Sequence, residues 1–127
     1  ELVKASRALG PITTGEEVIT PGFKLRARSV IHAVGPVWSG GTKGEPDLLD
    51  AAYESSFARA HEAGDVRTIA FPAISAGVYG YPKKEATAIA IGAMRRHEAS
   101  LDRIVACAFD DEMARLYRDA LETVSSL

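Results

Sequence analysis

The chain has 127 residues, 46% of them hydrophobic and 25% charged, with 15 Lys and Arg against 17 Asp and Glu for a formal net charge of −2. That length suits one domain, and the composition is that of a folded globular chain, not a disordered one. The negative balance argues against strong nucleic-acid binding, which needs a basic excess, but leaves room for a small anion held by a few local donors.

A single cysteine, Cys107, allows no internal disulfide and points to a reducing, cytoplasmic setting. No apolar run reaches the roughly 18 residues of a membrane span, so no membrane partner is expected. Repeats, heptads and low-complexity tracts are missing from the sequence.

Along the chain, Leu2, Ala5, Ser6 and Leu9 keep helical spacing, and Gly10-Pro11 stops the pattern. The sequence is therefore expected to begin inside a helix. It is either a short helix left by processing or the remnant of a longer domain. Val18-Ile19-Thr20, ended by Pro21-Gly22, reads as an edge strand or extended segment. Arg28 to Val34 carries Val30-Ile31-His32-Ala33-Val34, whose continuous apolarity predicts a strand covered on both faces.

Val37 to Glu45, with three glycines and Trp38, reads as a flexible surface loop. Pro46-Asp47 then opens a helix with Leu48, Leu49, Ala52, Tyr53, Phe57 and Ala60 on its inner face, and Gly64 closes it. Thr68 to Ile74 reads as a buried strand, followed by the small-residue loop Ser75 to Gly80. A helix from Lys83 to Glu98 follows Pro82, with Ala86, Ile89, Ala90, Ala93, Met94 and His97 inward. Ile104 to Phe109 reads as another buried strand. Asp110-Asp111 caps a last helix with Met113, Leu116, Tyr117, Ala120, Leu121 and Val124 inward.

Apolar strands alternating with amphipathic helices give an α/β layered domain with a largely parallel sheet. Ligands of such sheets bind at the carboxyl ends of strands. Three segments sit there: Gly35-Pro36-Val37, Ser75 to Gly80, and Phe109-Asp110. They are expected to line one cleft.

In the loop Ser75-Ala76-Gly77-Val78-Tyr79-Gly80, small side chains let a ligand approach the backbone. Its N–H groups and the helix dipole behind them suit phosphate oxygens, and Tyr79 offers a flat face for a sugar. The loop fits neither the P-loop nor the dinucleotide pattern. From spacing alone, a tight turn and a phosphate cradle are equally open. Phe109 is a base-stacking or a core residue. Trp38 reads as the anchor of its loop in preference to a pocket wall, and Lys83 and Lys84 as a solvated first turn in preference to contacts that favour an anion. His32 reads as a hydrogen-bonded core residue, and Cys107 as an inert mid-strand thiol. His61 and His97 have no ligand partner at helical spacing, so no metal site is expected. Asp110, Asp111 and Glu112 are explained as a helix cap, and Glu16-Glu17 as solvent-facing. No nucleophile–base set is assignable.

Ile31-His-Ala-Val-Gly-Pro-Val-Trp38 and Phe71-Pro-Ala-Ile-Ser-Ala-Gly-Val-Tyr-Gly-Tyr-Pro82 resemble the macro domain, in its MacroD-type branch. Gly15 to Gly22 and Cys107-Ala-Phe-Asp110 fall in the matching order. The resemblance covers essentially the whole chain. It implies a three-layer α/β/α fold with a mixed, largely parallel sheet that binds ADP-ribose in a cleft at the strand ends. It further implies that Ser75, Ala76, Gly77, Val78, Tyr79 and Gly80 hold the diphosphate, that Tyr79 lines the distal ribose, and that Phe109 and Asp110 lie at the adenine side. Gly35-Pro36-Val37 would form the pocket floor. Ala76 stands where the family often has threonine, which matters little for a backbone contact.

The activity implied is hydrolysis of ADP-ribose conjugates, either mono-ADP-ribosyl proteins or O-acetyl-ADP-ribose, with no metal or cofactor. The alternative is a non-catalytic reader of ADP-ribose. The family's first part, with two strands, an acidic residue for the adenine amine and an asparagine- and glycine-rich loop ending in an aspartate, would precede Glu1 and is not in this sequence. The resemblance therefore presents residues 1–127 as the C-terminal portion of a single macro domain, whose upstream part is expected to be cleaved, disordered or supplied as a separate N-terminal fragment of the same domain.

Overall fold

The computed structural model describes residues 17–21, 29–77 and 79–125, and the side chains of 29–77 and 79–122. The helix expected from Leu2 to Leu9, the environment of Glu16-Glu17 and the placement of Val78 lie outside these residues. The elements are β1 (Glu17–Pro21), β2 (Ser29–Ala33), α1 (Glu45–Ala63), β3 (Thr68–Phe71), α2 (Lys83–His97), a 3-10 turn (Glu98–Ser100), β4 (Arg103–Ala106) and α3 (Asp111–Ser125).

Helix boundaries follow the local chemistry. At α1, Glu45 and Asp47 place acids in the first turn beside Pro46, which suits the dipole and a position that needs no N–H donor. Gly64 ends α1 at φ 79°, a left-handed conformation that costs other residues dearly, and its N–H returns to the His61 carbonyl. Pro82 precedes α2, whose last turn carries Arg95, Arg96 and His97. At α3 the Asp110 carboxylate accepts the Met113 N–H at 2.9 Å, a side-chain cap.

Strands β1 and β2 pair antiparallel, Ile19 opposite Ile31. Strands β3 and β4 pair in parallel, Ile69 beside Ile104 and Phe71 beside Ala106. A parallel pair needs a long crossover, and α2 supplies it. Both senses of pairing are thus present, in two ladders that share no strand among the described residues.

The core forms where α1, α2 and α3 meet β3. Leu49, Tyr53 and Phe57 of α1 face Phe71, with ring centroids 5.2 Å (Tyr53) and 5.0 Å (Phe57) from the Phe71 ring. Such tilted pairs are each worth about 1 kcal/mol beyond their area burial. Ala86, Ala90, Ala93 and Met94 of α2 and Met113 and Tyr117 of α3 complete the packing. Small residues along α2 let it lie close to its neighbours.

The strands differ from expectation in length and cover. β3 stops at Phe71 instead of Ile74, because Pro72 has no N–H to extend the ladder; the last bond there runs from the Cys107 N–H to the Phe71 carbonyl at 2.8 Å. β4 stops at Ala106, so Cys107 is exposed beyond the strand end, not buried within it. β2 is half-buried along its whole length, and Thr68, Ala70 and Arg103 are exposed. Continuous apolarity overstated the cover these strands receive from the described elements. On α3, Leu121 is exposed instead of inward.

Candidate functional site

The loop after β3 is built as a tight platform. Pro72 ends the ladder, and the chain turns through Ile74 and Ser75. The Ile74 N–H donates to the Tyr53 hydroxyl of α1 at 3.3 Å, fixing the start of the turn. Ser75 has φ 64°, a left-handed backbone that costs a residue with a side chain on the order of 1–3 kcal/mol. It is held there by the Tyr81 N–H, which donates to the Ser75 carbonyl at 3.0 Å. The side chains of Ser75 and Ala76 are buried, so this stretch turns its backbone, not its side chains, to the outside.

Internal bonds use some of the loop's donors. Ala76 N–H goes to the Ala73 carbonyl at 3.3 Å and Gly80 N–H to the Gly77 carbonyl at 3.0 Å. The N–H groups of Ser75, Gly77 and Tyr79 have no acceptor among the described residues. The Ser75 hydroxyl is likewise buried without a partner among them. Gly77 is exposed, and a Cβ there would meet nothing within 4 Å. The face over Gly77 is open.

One of the other strand-end segments comes to this loop, and the other meets the first turn of the helix behind it. Gly35 packs so tightly on the side chains of Ser75 and Ile74 that a Cβ would collide with both. The Trp38 N–H donates to the Tyr79 carbonyl at 2.9 Å, and the Trp38 and Tyr81 rings lie 4.7 Å apart. Trp38 is thus a loop anchor, as its setting among glycines predicted. From the far side, Phe109 lies beside Lys83 of α2, whose Nζ sits 5.4 Å from the ring centroid.

Three large apolar side chains stay exposed at these three places: Val37 at 59%, Tyr79 at 42% and Phe109 at 54%. Phe109 is therefore a surface residue and not a core one. Exposed aromatics beside unused backbone donors form a surface suited to a flat, anionic ligand.

Electrostatics refine the reading of the lysines. Lys83 is part-exposed and paired: its Nζ lies 3.0 Å from Glu112 and 3.7 Å from Asp110. The hydrogen bond to Glu112 holds it above the ordinary lysine range, against a smaller opposing effect of burial. Its charge is matched by the two carboxylates, so the site's attraction for an anion comes from backbone N–H groups and the α2 dipole. Lys84 is exposed, as expected. Asp110 serves as the α3 cap and as a partner of Lys83.

Sequence reasoning missed Glu45. It is 1% exposed, and its carboxylate accepts the N–H groups of Ser39 at 2.8 Å, Gly41 at 2.9 Å and Lys43 at 2.6 Å. Burial alone would raise its pKa. Hydrogen bonds from the backbones of Gly41, Ser39, Glu45 itself and Lys43 outweigh that and pull it down to about 2. The loop Val37 to Gly44 is pinned, not flexible. The signal available was an acid directly after Gly-Gly-Thr-Lys-Gly, where several free N–H groups need an acceptor.

Away from these loops, His97 of α2 meets Glu54 of α1 at 2.6 Å and stacks on Phe57 at 4.3 Å, with His61 5.6 Å away. No group of three or more metal-ligating side chains occurs among the described residues. An open groove of about 440 Å³ between α2, β4 and α3 is walled by Ile91, Met94, Ile104, Tyr117 and Leu121, and none of the loop residues lines it. No described helix is long and apolar enough to cross a membrane.

Comparison with known proteins places these features in context. The profile of the Macro domain matches residues 1–90. A macro domain-containing protein of Ralstonia nicotianae is 52% identical over 121 residues, spanning 95% of this chain and 70% of the relative. An O-acetyl-ADP-ribose deacetylase of Salmonella gallinarum is 47% identical over 111 residues, spanning 85% of this chain and 62% of the relative. The solved macrodomain of Trypanosoma brucei in complex with ADP-ribose aligns with a TM-score of 0.84 at 34% identity, over 94% of this chain and 51% of that one.

Proposed function

Because the chain belongs to the Macro domain family and has its α/β fold, we propose that it binds ADP-ribose in the cleft formed by Gly35 to Trp38, Ser75 to Gly80 and Phe109-Asp110. The diphosphate lies against the backbone of Ser75 to Gly80, Tyr79 flanks the distal ribose, and Phe109 stacks on the adenine. The observation that carries this reading is the set of N–H groups at Ser75, Gly77 and Tyr79 without described acceptors, beside exposed Tyr79 and Phe109. A solved macrodomain at 34% identity holds ADP-ribose, which agrees with it.

We further propose that the protein hydrolyses ADP-ribose conjugates, as a mono-ADP-ribosyl-protein hydrolase or O-acetyl-ADP-ribose deacetylase. Support comes from the relative at 47% identity that bears the deacetylase name. For the ester, water adds to the acetyl carbonyl and releases acetate and ADP-ribose. The residues of this chain act by position. The backbone cradle fixes the diphosphate, Tyr79 orients the distal ribose, and the reacting bond is held in one geometry toward water.

The test is calorimetric titration of ADP-ribose, AMP and NAD, with acetate release from O-acetyl-ADP-ribose measured alongside. A clear preference for ADP-ribose is expected. Gly77→Val puts a branched side chain into the open face, where its Cβ meets nothing within 4 Å beyond its chain neighbours, so it is expected to weaken ADP-ribose by about 100-fold with melting temperature little changed. Wild-type affinity in that variant would refute the cradle. Binding without acetate release or de-ADP-ribosylation would make the protein a reader.

A further inference from the structure

The glycine-rich segment before α1 hangs on a single buried carboxylate. Glu45 gathers the N–H groups of Ser39, Gly41 and Lys43, two on one oxygen and one on the other. Three donors at alternate positions converge on it, so the segment must curl around Glu45 to satisfy them. All its partners are main-chain groups, and the charge sits at the start of α1, where the helix dipole favours it.

The curl sets Trp38. Gly41 lies under the indole, where a Cβ would press on the ring. From that seat Trp38 gives its N–H to the Tyr79 carbonyl and its ring to Tyr81. Those two contacts bracket Gly80 at φ 73°, the residue at which the diphosphate loop turns into α2. The links therefore run from Glu45 through residues 39–43 and Trp38 to both sides of the bend.

We propose that Glu45 is a positioning residue for the ligand cleft: its carboxylate folds residues 39–43 so that Trp38 holds Tyr79 and Tyr81, and with them the N–H groups of the diphosphate loop, in binding geometry. Glu45 is buried beneath the loop and acts through Trp38. The proposal rests on the reading of Ser75 to Gly80 as the diphosphate loop and adds the residue that holds its shape.

Trp38 is the chain's one tryptophan, so its emission reports on this segment alone. Wild type, Glu45→Ala, Glu45→Gln and a core control, Phe57→Leu, are compared by far-UV circular dichroism, iodide quenching of Trp38, and calorimetric titration with ADP-ribose. Glu45→Ala is expected to keep its helix content, to expose Trp38 to iodide, and to bind about 30-fold more weakly. Glu45→Gln keeps one acceptor oxygen but turns an NH2 toward the remaining N–H donors, so its losses are expected to be intermediate. Phe57→Leu lowers the melting temperature and is expected to leave quenching and affinity as in wild type.

Unchanged quenching and affinity in Glu45→Ala would overturn the proposal, as would a Phe57→Leu profile that matches it. If Glu45→Ala does not fold, Glu45→Gln decides by the same two readouts. Failure of the wild type to bind ADP-ribose would overturn the ligand reading, and Trp38 quenching would still decide whether Glu45 holds the loop.

Discussion

Phe109 leaves more than half of its surface in water, close to two carboxylates and a lysine that pair with one another. A core need does not explain that placement, whereas the proposed base stacking would. Base–aromatic stacking is worth roughly 1–3 kcal/mol, so Phe109→Ala is expected to weaken ADP-ribose about tenfold or more. Ribose-5-phosphate, which has no base, is expected to bind Phe109→Ala as it binds wild type, and equal losses for both ligands in calorimetry would exclude stacking. The candidate itself was legible, because an aromatic next to Asp110 follows an apolar run. Its exposure was not: the run is apolar to its end, and Pro72, just past the neighbouring strand, ends the ladder early and lets the chain leave the sheet before Phe109. The same limit applies to Lys83, whose partners Asp110 and Glu112 belong to the next helix.

Helix ends were the most legible elements, since each is written in one or two residues. Gly64 stops α1, Pro82 starts α2 and Asp110 caps α3. The loop between β2 and α1 was misread as flexible because its order comes from a buried acid one residue past its end. That acid gives the loop a pH signature. Glu45 titrates near 2 in the folded chain against an ordinary value of 4.5. A depressed carboxylate contributes stability that is fully present above pH 4.5 and is lost as pH falls towards 2. Tyr81, held high by burial and by the nearby charges of Glu45 and Glu85, stays neutral across this window. Trp38 emission is expected to change between pH 4.5 and 2 in wild type and to lose that step in Glu45→Gln. Glu54 is also depressed: burial raises it, but hydrogen bonds from His97 and Arg96 prevail. Global unfolding by acid therefore mixes two groups, and the Trp38 signal separates them.

Across the whole molecule, the proposed cleft draws on segments from both ladders: Gly35 to Trp38 follow β2, and Ser75 to Gly80 follow β3. A ligand that spans them ties the two together, and its binding energy adds to folding stability. At 100 times its dissociation constant it contributes about 2.7 kcal/mol, which for a chain of this size corresponds to a rise of about 10 °C in melting temperature. Scanning calorimetry with and without ADP-ribose is expected to show that rise, and AMP at the same concentration a smaller one. Long-range pairings of this kind left little trace in the sequence. Arg96 reaches Asp50 at 2.5 Å and Glu54 at 2.7 Å between α2 and α1, and such partners are decided by how two helices cross, which no local pattern encodes. What periodicity did carry was the set of inward faces, as Leu49, Tyr53 and Phe57 show. The bond from Trp38 to Tyr79 has a consequence in time as well. It closes a chain segment that contains all of α1 and β3, which makes it entropically costly to form early, whereas each helix can close its own bonds locally. The loop over the proposed cleft is then expected to mature after the helices, with Trp38 quenching lagging the helical circular dichroism signal during refolding.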